Sequence, residues 1–73
     1  MEEFFTALEK SLYSPKKQRQ MDQVRAVFDK EDIDYDALIA NDEFALTNKK
    51  LQEIGIEQLG LRSAIVRVIQ SIQ

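Results

Sequence analysis

TNKKLQEIGIEQLGLRSAIVRVIQSI, Thr47 to Ile72, decides how the chain folds. Thr47 is a good helix N-cap, and Leu51 and Ile54 follow at helical spacing. Gly55 stands where a helix ends on a residue with positive φ. The pattern predicts a short helix over Asn48 to Ile54 that Gly55 stops. A longer helix follows from about Gly60 to Ile72, with Ile65, Val66, Ile69 and Ile72 as its buried stripe. Two glycines five apart therefore stop one helix and start the next.

Upstream the periodicity is also helical. Phe4, Phe5, Leu8 and Leu12 predict a first helix from about Glu2 to Tyr13. Ser14-Pro15 breaks it, because a residue before proline is pushed out of the helical region. A second helix starts at the proline or a few residues later and ends near Glu31, with Met21, Val24, Val27 and Phe28 on one face. A third, short helix fits Tyr35 to Ala40, with Asp34 as its N-cap. Two glycines and one proline in 73 residues leave little turn chemistry for a sheet, and no stretch alternates with period two. The fold expected is all-α, a single five-helix domain over residues 1–73.

Composition removes whole classes of function. The chain has no cysteine and no histidine, which excludes disulfides, thiolate or imidazole metal sites, and catalysis by cysteine or histidine. Hydrophobic content of 44% with 32% charged residues fits a compact domain and not a disordered tail. No apolar run approaches the ~18 residues of a membrane span, and MEEFF is acidic where a secretory leader is basic. The expectation is an intracellular, cytoplasmic protein with no membrane contact, the nucleus remaining open.

FDKEDIDYDALIANDE, Phe28 to Glu43, contains seven acids and a single base, Lys30. Asp32, Asp34, Asp36 and Glu43 fall at positions 1, 3, 5 and 12 of a calcium-loop frame, with Ile39 at position 8. Position 6 is Ala37, however, where the loop's sharp turn requires glycine. Asp36 to Ile39 also reads as helix, which points the carboxylates outward and apart. No metal is expected here, and no cofactor or small-molecule ligand anywhere. LQEIGIEQLG has the look of a DNA-gripping helix-hairpin-helix, but Glu57 stands where close phosphate approach needs glycine.

From Val24 to Ile72, about two thirds of the chain, the sequence resembles a sterile alpha motif domain. The resemblance is carried by Phe28, Ile33, Asp34, Leu38, Leu46-Thr47, Leu51, Ile54-Gly55-Ile56, Gly60, Arg62, Ile65 and Ile69. The first third departs from that pattern: no tryptophan-leucine pair opens the first helix, and SPKKQRQ lengthens the first connection. The resemblance implies association through two surfaces. Asp34, Tyr35, Asp36, Asp42, Glu43 and Phe44 would form an acidic mid-loop surface. Gly60, Leu61, Arg62 and Arg67 would form an end-helix surface, with Leu61 as an apolar anchor if it is exposed and as a core residue if it faces inward with Ile65. The partner expected is another domain of this type, the same chain or a different one, bound head-to-tail.

Some members of that family bind RNA hairpins, and Lys16, Lys17, Arg19, Arg62 and Arg67 are the residues available for it. Phosphate binding wants several cations converging on one face, whereas the net charge is −3 and the last helix supplies two. Nucleic acid is therefore the weaker alternative, and an inert scaffold a third. Catalysis needs a concave, partly dry pocket, for which a domain of this size has little room beside its core. The chain reads as a binding module, not an enzyme.

Overall fold

The computed structural model describes residues 1–40, 42–43 and 45–73. Among these the chain forms five helices: α1 (Glu2–Ser11), α2 (Lys17–Lys30), α3 (Tyr35–Ile39), α4 (Asn48–Glu53) and α5 (Leu59–Ile72). No strand occurs among the described residues. Every helix lies within two residues of the expected boundaries. The largest difference is at α1, where Leu12 is already extended (φ −101°, ψ 124°) and buried.

Local chemistry explains the boundaries. The Asp34 carboxylate accepts from the Ala37 N–H at 2.9 Å, and the Thr47 hydroxyl accepts from the Lys50 N–H at 3.2 Å. Each side chain satisfies one of the donors a helix start leaves unpaired. Between α1 and α2, Ser14 organises the turn: its carbonyl accepts from the Lys17 N–H and its hydroxyl from the Lys16 N–H, each at 3.0 Å.

α4 ends at Gly55, whose φ is +115°. There the Ile56 N–H reaches back to the Leu51 carbonyl at 3.0 Å, and the Gly55 N–H to Gln52 at 3.2 Å. This pair of bonds is the Schellman helix stop. α2 ends the same way without a glycine. Ile33 N–H donates to Phe28 at 2.9 Å and Asp32 N–H to Asp29 at 3.3 Å, with Asp32 at φ +54°. Aspartate is among the few residues that tolerate this left-handed conformation.

Packing then brings the helices together. The start of α1 meets the end of α2, so the two run antiparallel. The Phe4 and Phe28 rings stack with centroids 5.5 Å apart, and Phe5 meets Phe4 edge-on at 5.1 Å. α5 lies against α1, α3 and α4. With neighbours on three sides its buried face is wider than a single stripe. Leu61, Ala64, Ile65, Val68 and Ile69 are buried, while Val66 and Ile72, expected in the stripe, are only partly so. Leu38 of α3, Leu51 of α4 and Ile56 complete the core with no exposed surface.

Candidate functional site

At the end where α1 begins and α2 stops, acids from three helices gather. Asp34, Tyr35 and Asp36 are exposed at the start of α3. Tyr35 shares a shallow depression with Met1, Glu2 and Glu3. Beside it lies an open groove of about 580 Å³, lined by Met1, Phe5, Phe28 and Ile33 and bordered by Asp29, Asp32 and Asp34. Arg25 also reaches this groove, and it is already engaged. Its guanidinium sits 4.1 Å from the Phe5 ring centroid, and Nη1 lies 3.6 Å from a Glu2 carboxylate oxygen.

Part of the acidic surface expected from the sequence lies beside residues outside that set. Asp34 and Tyr35 border the start of α1, whose Met1, Glu2 and Glu3 were not foreseen as members. Only the antiparallel packing of α1 on α2 brings them there. Asp42 and Glu43 are exposed, but the Glu43 carbonyl accepts from the Lys50 ammonium at 2.6 Å and so is tied to α4. Phe44 lies outside the described residues. Among the described residues no group of three or more acids is placed to hold a metal ion. Asp34 uses its carboxylate as a cap, whereas Asp32 serves the helix stop through its backbone alone.

At the start of α5 Leu61 takes the inward of its two expected alternatives, whereas Arg62, expected on the end-helix surface, is buried as well. Leu61 is 1% exposed and Arg62 only 7%, so neither is available to a partner. Leu61 belongs to the core because it lies one turn before Ile65. Arg62 lies three residues before Ile65 and seven before Ile69, on the same inward arc. Its Nε donates to the Asn48 side-chain oxygen at 2.8 Å, and its Nη1 to the carbonyls of Ile56 and Glu57 at 2.8 and 2.7 Å. A rigid guanidinium fork suits such a set of inward carbonyls. Arg62 is therefore a brace for the turn between α4 and α5, and it leaves both the end-helix set and the RNA-binding set. The exposed apolar residue at this end is Leu59, at 64%. Gly60 and Arg67 are exposed as expected.

Exposed positive charge is found at Lys10, Arg25, Lys30, Lys49 and Arg67, and it is densest along the first connection and the start of α2. Lys16 and Arg19 are exposed and Lys17 half-buried. Tyr13, two residues before Pro15, is 92% exposed. Gln23, one turn beyond Arg19 on α2, exchanges two amide hydrogen bonds with Gln58, at 2.8 and 3.0 Å. That link sets the start of α5 beside α2. The first turn of α2 contains no acid and its start has no side-chain cap.

Among the described residues, no helix is long and apolar enough to cross a membrane. No family model matches the chain, and neither a curated protein nor a solved structure matches it.

Proposed function

We propose that this is a protein–protein interaction module of the sterile alpha motif type, without catalytic activity. Five short-linked helices support that type, with a threonine-capped fourth helix, a glycine stop at Gly55 and a long, central α5. The observation that carries the functional reading is the separation of charge. Acids from α1, α2 and α3 outnumber Arg25 and Lys30 at one end of the α1–α2 pair, and Lys10, Lys16, Lys17 and Arg19 outnumber Glu9 at the other. α2 alone separates those ends by roughly 20 Å. Charges that far apart are screened from each other beyond about 8 Å at physiological ionic strength. Two opposite patches that cannot neutralise each other within one copy suit a head-to-tail contact between copies, or with another domain of the same type. Such a contact joins unlike patches and does not close by two-fold symmetry, so it builds rings or filaments.

The grooves are open to solvent, which favours a docking surface over catalysis, since an active site needs water excluded. RNA binding loses Arg62 from its residue set. Sedimentation of the chain alone, at several concentrations and two ionic strengths, tests the reading. Larger species should grow with concentration at low salt and recede at high salt. A chain that stays monomeric at high concentration and low salt refutes self-association. Arg62→Glu is not a probe of this contact, because a carboxylate facing two carbonyls in a buried site would unfold the domain.

A further inference from the structure

We propose that the turn between α1 and α2 is the docking element, and that it seats Tyr13 of one copy in the acidic groove of a second. The proposal rests on the self-association reading and deepens it by naming Tyr13 as the anchor of the basic surface and the groove as its seat; family resemblance alone would put that surface at the start of α5.

Three observations meet here. Tyr13 is almost fully exposed, and it stands between the buried Leu12 and a turn over residues 14–17 that two Ser14 hydrogen bonds close. An aromatic held out in water beside an ordered turn loses little freedom on docking, and tyrosine is a common binding hot spot. Around it, Lys10, Lys16, Lys17 and Arg19 come with no acid between Lys10 and Met21. The groove has a complementary make-up: apolar Met1, Phe5, Phe28 and Ile33 with Asp29, Asp32 and Asp34, its one cation, Arg25, lying over Phe5 and paired with Glu2.

The third observation is that α2 works against its own charges. A helix start favours acids and disfavours cations. α2 nevertheless begins with Lys16, Lys17 and Arg19, and beyond its mixed last turn come Glu31 and Asp32. Helix stability does not explain this order, whereas docking of one end on the other does. Because turn and groove lie at opposite ends of α2, each docking leaves one free turn and one free groove, and the assembly continues.

The same geometry yields variants that spare the fold. Lys16→Glu with Arg19→Glu puts acids where the start of α2 favours them. Asp29→Lys puts a cation near its end, and Asp32→Gly suits the positive φ. With melting curves confirming that each variant folds, sedimentation equilibrium of the full chain at low salt reads the dissociation constant. Tyr13→Ala should weaken association about thirtyfold, the loss usual for a hot-spot aromatic. Each charge variant, K16E/R19E and D29K/D32G, should be monomeric alone. Mixed in equal amounts they should form a one-to-one dimer, through the intact groove of the first and the intact turn of the second, and nothing longer. If the parent associates while Y13A and K16E/R19E stay within twofold of it, this assignment is overturned and the self-association reading survives. Loss of association with Leu59→Ala or Arg67→Glu but not Y13A would also overturn it, in favour of the start of α5. A monomeric parent overturns both, including the case in which the basic turn captures an RNA hairpin instead.

Discussion

α1 opens with Glu2 and Glu3 and carries Lys10 in its last turn, the order a helix dipole favours. α2, packed antiparallel beside it, opens with Lys16, Lys17 and Arg19 and no acid in its first turn. Both helices bury an apolar face and carry a lysine in the last turn, but they are opposite in the charge at their starts. Because they run antiparallel, the favourable acids of α1 and the unfavourable acids following α2 meet at one end of the pair. One helix builds that end at no electrostatic cost to itself, and the other gives up stability to build it. Where a sequence keeps charges its own helix disfavours, their purpose has to be sought outside the helix.

α1 and α2 are most vulnerable at their aromatic joint. Phe28→Ala removes the ring that stacks on Phe4 and touches Phe5, and should cost about 3–5 kcal/mol in urea unfolding. For a domain this small that approaches the whole stability. A loss below about 1 kcal/mol would mean that the aromatic cluster is not what holds α1 to α2.

Reversing charge at the two helix starts sharpens the contrast. Lys16→Glu with Arg19→Glu should raise thermal stability at low salt, and Glu2→Lys with Glu3→Lys should lower it. Each residue contributes about 0.3–1 kcal/mol, and both effects should fade in high salt. If the two pairs shift the melting temperature in the same direction, α1 and α2 do not differ in how their starts bear charge.

The smallest effect concerns the far end of α2. Asp32→Gly relieves a left-handed residue of about 1–2 kcal/mol of strain but adds about 0.5–1 kcal/mol of unfolded-state freedom. A net gain of about 0.5 kcal/mol in chemical denaturation is expected. Any loss would indicate that the aspartate side chain contributes more than its charge to the stop.

Much of this was legible beforehand where the cause is local. Asp34 and Thr47 cap because of bonds three residues long, and Gly55 stops α4 because its own φ demands glycine. Arg62 and Glu2 were not legible for the opposite reason. The acceptors of Arg62 sit on Asn48, Ile56 and Glu57, and composition alone treats an arginine as surface. Its spacing from Ile65 and Ile69 carried the signal, and charge overrode it. Glu2 and Glu3 join the acidic end only through helix pairing. The helix stop at Asp32 was written in the chain as well: FDKEDI and LQEIGI place apolar residues at the same two positions around the turning residue. In the first of them that residue is not glycine.

The phenylalanine cluster also bears on the order in which the chain assembles. Joining Phe4 to Phe28 closes a loop roughly half as long as the shortest that joins α1 to α5, and each doubling costs about 0.6 kcal/mol of entropy. Local contacts form sooner, so the α1–α2 hairpin is favoured to close before α5 is in place. Both charged ends belong to that hairpin. A half-folded chain therefore already presents them while α5 is still looking for its seat, and a crowded solution of folding chains can exchange helices between copies as readily as dock finished ones.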